Sequence, residues 1–135
     1  MTELAFPKTT RVKKPTWESL YARFRAYLKR RYEGQMCQVC GKHPWIHWAH
    51  FVGRGKDMLR CHPLNGLRAC LTCHQWCDQA KEERMRPVMV KVYGIEVVEN
   101  LELIKRTTFS DRESRDFFQK WWAMACGAGE GANNG

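Results

Sequence analysis

The chain has 135 residues, 44% of them apolar, and a formal net charge of +9, which suits about one globular domain and excludes wholesale disorder. No apolar run approaches the ~18 residues of a membrane span, and residues 1–14 lack the apolar core of a secretory signal. The charge is placed unevenly: residues 1–35 carry nine Lys/Arg against three Asp/Glu, 36–86 eight against four, and 87–135 six against seven. A positive field over the first two thirds points to a polyanion, DNA or RNA ahead of a membrane surface.

Residues 1–14 read as a mobile basic arm ending at Pro15. A helix is predicted next, with Thr16 as N-cap and Trp17, Leu20, Tyr21, Phe24, Tyr27 and Leu28 recurring at helical spacing. The face away from that stripe carries Arg23, Lys29, Arg30 and Arg31, and Gly34 is expected to end the helix. Residues 46–52 read as a strand. Pro63 and Asn65-Gly66 supply turn chemistry, and residues 67–69 lead into a helix expected from Leu71 to the mid-80s. Residues 86–93 alternate Val88, Val90 and Val92 like a strand, but Pro87 and Gly94 fit the two ends of a short helix, and the helix is preferred. Residues 96–106 place Val97, Leu101 and Ile104 on one helical stripe. Ser110 and Glu113 form a capping box for a last helix whose Phe117, Phe118, Trp121 and Trp122 are expected in the core. Residues 127–135 are Gly/Ala/Asn-rich and read as a disordered tail.

Seven cysteines are an odd number, which does not suit a closed disulfide framework. Without an export signal they point to a reducing compartment, where cysteines ligate metal or react. Cys37-Gln-Val-Cys40 and Cys70-Leu-Thr-Cys73 are two C-x-x-C knuckles. Each bends two thiolates onto one ion, and together they complete a tetrahedral, closed, structural zinc site. The 29 residues between them exceed the ~15–20 of a simple ribbon, and a β-hairpin fits the gap. Two independent redox pairs, or a c-type haem attachment at Cys70-Leu-Thr-Cys73-His74, are the alternatives. Cys61, Cys77 and Cys126 lack a knuckle partner and read as ordinary thiols.

Around the knuckles stand His47, His50, Asn65, His74 and Asp78. His74 and Asp78 are four residues apart on the expected helix, so both can reach one ion. His47 falls by strand alternation on the face opposite His50. The order strand-His, turn-Asn, helix-His suits phosphodiester hydrolysis. Such a reaction needs a base to activate water and a divalent ion for the phosphate and the leaving oxygen. Mixed imidazole and carboxylate ligands fit Mg²⁺, Mn²⁺ or a transition ion. Arg54 and Lys56 follow in a Gly-rich loop where they can grip a phosphate. Asn65 has two readings, shaping the turn or joining the site; His43 and His62 read as ordinary histidines.

At these residues the chain resembles the HNH nucleases and is similar to the NinG (Rap) recombination proteins of lambda-like phages. The resemblance spans roughly residues 16–122. It rests on the basic helix ending Arg23-Phe24-Arg25-Ala26-Tyr27-Leu28-Lys29-Arg30-Arg31, on Cys37-Gln-Val-Cys40-Gly41 and on Ala49-His50-Phe51-Val52. It continues through Asn65-Gly66-Leu67-Arg68-Ala69-Cys70, Cys73-His74 and Tyr93-Gly94. It implies an α+β fold: a zinc-clamped ββα-metal (HNH, or His-Me finger) core at about residues 36–86, within one domain over 15–126, flanked by the basic helix and C-terminal helices. It further implies His50 as general base, Asn65 as the middle motif residue, His74 as a ligand of the catalytic ion, and ends bearing 5′-phosphate and 3′-hydroxyl. The substrates implied are branched recombination intermediates such as Holliday junctions and D-loops. The basic side chains Arg23, Lys29, Arg30, Arg31, Arg54, Lys56, Arg60 and Arg68 are the expected DNA contacts. A symmetric junction would favour a homodimer, and the expected location is cytoplasmic, in the host if the chain is phage-encoded. In one respect the chain departs from the family: many HNH sites place Asp or His just before the base, and here Ala49, which cannot ligate, stands there. His47 and Asp78 are the candidates to replace it. The alternatives to the nuclease are a zinc-stabilised DNA-binding accessory without catalysis and an HNH nicking enzyme with another phage role.

Overall fold

The computed structural model describes residues 16–53 and 57–126; the expected arm, the expected tail, Arg54 and Lys56 lie outside the described residues. The protein is α+β. Helix α1 (Trp17–Arg31) is followed by strand β1 (His47–His50), the short helix α2 (Asp57–Arg60), strand β2 (Gly66–Ala69) and helix α3 (Leu71–Gln79). A π-helical turn (Lys81–Met85) leads into α4 (Arg86–Tyr93), α5 (Ile95–Arg106) and α6 (Asp111–Ala125). None of the described helices is long and apolar enough to cross a membrane.

Helix α1 starts where expected. The Ser19 N–H donates to Thr16 Oγ1 at 3.1 Å and the Thr16 N–H to Ser19 Oγ at 2.9 Å, a reciprocal cap that satisfies two otherwise orphaned donors. Its stripe buries Leu20, Phe24 and Leu28. The helix ends at Arg31 with Tyr32 as its cap, three residues before Gly34, whose positive φ of 79° serves the turn beyond.

β1 and β2 pair antiparallel, with His47 opposite Ala69, Ala49 opposite Leu67 and His50 opposite Gly66. Strand alternation splits their side chains between two cores. Ala49, Leu67 and Ala69 join Cys77, Met85, Met89, Val98 and Leu101 of the following helices in one. Trp48 joins Leu20, Phe24 and Leu28 of α1 and Trp121 of α6 in the other. The hairpin is thus a partition buried on both sides, and its edges and ends are where polar side chains can collect.

The expected turn at Asn65-Gly66 forms elsewhere. The Asn65 N–H donates to the His62 carbonyl at 3.1 Å, so the turn spans residues 62–65 with Pro63 at its second position. Gly66 is instead a strand residue under the Trp48 indole. A Cβ there would lie 2.6 Å from the Ala49 carbonyl oxygen and 2.8 Å from Trp48 Cε2. Because a backbone carbonyl cannot move aside cheaply, Gly66→Ala should cost about 1–3 kcal/mol, read as a fall in the urea midpoint at unchanged m-value. An unchanged midpoint would contradict this close approach.

The helix expected from Leu71 to the mid-80s is interrupted. Ala80, at φ −158° and ψ 80°, closes α3, and the chain resumes as the wider π-helical turn. Residues 86–93 are helical, opened by Pro87 and closed at Gly94, where φ is 100°. α4 and α5 are tied by the Arg86 guanidinium, which donates to both Glu102 oxygens at 2.8 and 3.0 Å. The Tyr93 hydroxyl donates to the Gly66 carbonyl at 2.8 Å and anchors α4 on β2; burial pushes this phenol up to about 12. The Ser110–Glu113 capping box is present, and Trp121 is buried, donating its indole N–H to the Met58 carbonyl at 3.0 Å.

Candidate functional site: a four-cysteine cluster and a histidine cleft

The two knuckles meet. The sulfurs of Cys37, Cys40, Cys70 and Cys73 all lie within 4.8 Å of one another. In the first knuckle the N–H groups of Val39 and Cys40 point at Cys37 Sγ, at 3.4 and 3.5 Å, and the Lys42 N–H points at Cys40 Sγ at 3.4 Å. The left-handed backbone of Gly41, φ 68°, lets the chain curl back over the sulfurs. The second knuckle spans the end of β2 and the first turn of α3, with Cys70 as the helix N-cap. A residue that carried no signal in the sequence joins them: the Gln38 N–H donates to the Arg68 carbonyl and the Arg68 N–H to Gln38 Oε1, both at 2.7 Å.

Thiol chemistry fits a cation here. Burial pushes the Cys37 thiol up, but the N–H groups of Cys40, Cys70 and Val39 outweigh it and bring it down to about 6. Cys73 is driven far up, by burial and then by the sulfurs of Cys70, Cys40 and Cys37. One thiolate is tolerated by the protein alone, and four together require a positive ion. The cluster can therefore hold a structural metal such as zinc. Sulfurs shared across both motifs do not suit two independent redox pairs.

Beside this cluster, a cleft of about 290 Å³ is lined by Tyr21, Trp48, His50, Gly53, His74, Asp78 and Lys81. His50, only 6% exposed, comes from the end of β1. Its Nε2 lies 3.0 Å from the Arg60 carbonyl oxygen. A carbonyl only accepts, so Nε2 carries the proton and Nδ1 is the basic nitrogen. The Tyr21 ring packs against it at 5.6 Å, and Lys81 Nζ donates to the His50 carbonyl at 2.7 Å. Across the cleft, His74 Nε2 is 3.3 Å from Asp78 Oδ2, and Lys81 Nζ is 3.8 Å from Asp78 Oδ1. The helical four-residue spacing thus brings His74 and Asp78 together as expected.

His47 reaches His74 from the other side, ring centroids 5.1 Å apart. It lines a neighbouring hollow and not the cleft, as expected from strand alternation. Burial, then His74 and Lys29, hold its imidazole below the usual range, which keeps a nitrogen lone pair available for a ligand. Among the described residues, the cysteines are the group of three or more candidate ligands that closes tightly about a point.

Asn65 is not in the cleft. It is fully buried beneath the loop joining the strands. Its Oδ1 accepts from the Val52 N–H at 2.8 Å, and its Nδ2 donates to the carbonyls of Val52 and Leu59 at 3.1 and 2.9 Å. It fixes both ends of the connection that leaves β1 just after His50, which is the turn-shaping reading of this residue.

The basic residues separate into groups. Arg60 is half-buried, paired with Glu18 at 3.0 Å and lying over the Tyr21 ring. Arg68 lies 3.9 Å over Tyr32 and donates to Gln35 Oε1. Arg23 lies over Trp122 and Arg31 over Tyr32. Lys29 donates to the Ile46 carbonyl at 2.9 Å while lying over Trp45. Arg30 is exposed on α1. His62, read as ordinary, packs against Trp121; burial, then Lys120, lowers it to about 4.

No protein-family model matches the chain, and searches of curated proteins and of solved structures find no match either.

Proposed function

We propose that this chain is a metal-dependent DNA endonuclease of the HNH type, its ββα core clamped by zinc on Cys37, Cys40, Cys70 and Cys73. The observation that carries the reading is the convergence of His50 with the His74–Asp78 pair on one polar cleft. His74 and Asp78 would hold a divalent ion, Mg²⁺ or Mn²⁺. Their donor atoms, His74 Nε2 and Asp78 Oδ2, lie 3.3 Å apart on the same helical face, so both could turn to one ion. His47, which lines the neighbouring hollow with its ring 5.1 Å from that of His74, would have to turn towards the cleft to stand in for the ligand missing at Ala49. Once bound, such an ion supplies Lewis-acid stabilisation of the phosphate and of the departing oxygen.

The protein's own groups account for the rest. His50 Nδ1 takes a proton from water as the water oxygen bonds to phosphorus. The P–O3′ bond breaks, and the 3′ oxygen is protonated from solvent, leaving a 5′-phosphate and a 3′-hydroxyl. The Arg60 carbonyl holds the imidazole in the tautomer this requires and favours the imidazolium that forms. Lys81, which lines the cleft, would add a positive charge beside the phosphate. Branched recombination intermediates, such as Holliday junctions and D-loops, are the proposed substrates.

The decisive experiment mixes protein purified without chelator with junction, forked and linear DNA, with and without Mg²⁺ or Mn²⁺. Ion-dependent cleavage of branched DNA is the expected result. Binding without cutting under either ion would replace the enzyme with a zinc-stabilised DNA-binding accessory, a reading favoured by Ala49 in the position of a ligand. Nicking of linear duplex with no preference for branches would point to a different HNH role.

A further inference from the structure

The cleft does not end at His74. A second hollow of about 350 Å³ shares Tyr21, Trp48 and His74 with it and adds Arg25 and Lys29. A third, of about 410 Å³, shares Lys29 and Trp45 with the second and adds Arg30. The three form one trough along a single flank of α1. Tyr21, Arg25 and Lys29 are spaced by four residues, so they stand in a row about 12 Å long on that flank.

The cations in this row rest on aromatic rings, a contact that does not exhaust their donors. Arg25 lies 5.0 Å over the Tyr21 ring, a cation–π contact that does not itself consume the N–H donors a phosphate would bond. Lys29, 4.9 Å from the Trp45 ring, gives one of three ammonium protons to Ile46. Arg23 and Arg31, on the same helix, rest instead on Trp122 and Tyr32, and neither lines the trough.

Resting on the nuclease reading, we propose that this trough is the track of the DNA strand being cut. The scissile phosphate sits between His50 and His74, and the flanking phosphates of the same strand lie over Arg25, Lys29 and Arg30. The basic helix is therefore used on one flank only. Arg25, which is not among the DNA contacts expected from the sequence, outranks Arg23 and Arg31 as a backbone contact.

The test measures binding of fluorescent single-stranded, forked and duplex DNA across a salt series, with the full chain carrying His50→Gln so that no cutting intervenes. The double variant Arg25→Ala/Lys29→Ala should lower the slope of log K against log salt by about 0.7 per lost contact on a single strand, or about 0.9 on a duplex. Extrapolated from 1 M salt, that is roughly a 15- to 30-fold weaker affinity at 0.15 M. Arg23→Ala should leave slope and affinity unchanged, and Arg25→Lys/Lys29→Arg should restore them. An unchanged slope in the alanine double variant, or an equal loss in Arg23→Ala, overturns the trough while leaving the nuclease reading intact. Tighter binding to RNA of the same sequence overturns the assignment to DNA. A parent chain that binds none of these DNAs overturns both.

Discussion

Cys73→Ser should unfold the centre of this protein at room temperature. The four sulfurs, within 4.8 Å of one another, link three parts of the chain: the loop after α1, the end of β2 and the start of α3. Cys37 and Cys70 are buried. Structural zinc on such ligands contributes ~10–16 kcal/mol at neutral pH in small metal-folded peptides, whereas a whole domain is stable by only ~5–15 kcal/mol. Both cores pack against one two-stranded sheet, so little else can offset the loss. Serine is nearly isosteric but does not ionise at neutral pH, and it leaves three crowded thiols with a weakened ion. The measurements are zinc per chain and thermal unfolding by circular dichroism. The parent should hold about one zinc and melt cooperatively. Cys73→Ser should lose the zinc and the sharp transition, excess chelator should do the same to the parent, and Cys126→Ser, at an exposed position, should do neither. A Cys73→Ser protein with the parental melting temperature would remove the clamp from this account.

What could be read from the sequence follows from the range of the interactions involved. α1 and α6 were legible because their caps and apolar stripes are local: Thr16, Ser110 and Glu113 act within one turn. The knuckles were legible because metal ligation imposes its own spacing, and the helical four-residue step placed Asp78 beside His74. The break at Ala80 was not legible, since Lys81-Glu82-Glu83-Arg84 is an ordinary helical run. The reason for the break lies in what it delivers: Met85 enters the core beside Cys77, and Lys81 reaches both the His50 carbonyl and Asp78. π-helical turns are often found at functional sites. Gln38 was silent for the same reason. Its partner Arg68 is thirty residues away, and only the folded hairpin brings them together. Arg60 and Arg68 were expected as DNA contacts, and their aromatic and polar partners, Tyr21, Glu18, Tyr32 and Gln35, are likewise distant in sequence.

Asn65 and His50 should fail in different ways when replaced, and the contrast tests their roles. His50→Gln keeps an N–H to offer the Arg60 carbonyl but has no basic nitrogen. It should fold with a melting temperature near the parent's and lose about 10²- to 10⁴-fold in cleavage rate, the usual worth of a general base. Asn65→Ala leaves the Val52 N–H and the carbonyls of Val52 and Leu59 without the buried partners they have now. Unsatisfied buried groups cost ~1–3 kcal/mol each, so several kcal/mol of stability should go, read as a lowered urea midpoint. Its cleavage should fall with the folded fraction and recover on cooling or with a stabilising osmolyte, because the loop closes again and His50 returns to its place. His50→Gln should show no such recovery. If Asn65→Ala keeps full stability yet loses cleavage as His50→Gln does, the amide acts on the substrate and not through the loop. If His50→Gln cuts at the parental rate, the base lies elsewhere, and the cleft between β1 and α3 is not where water is activated.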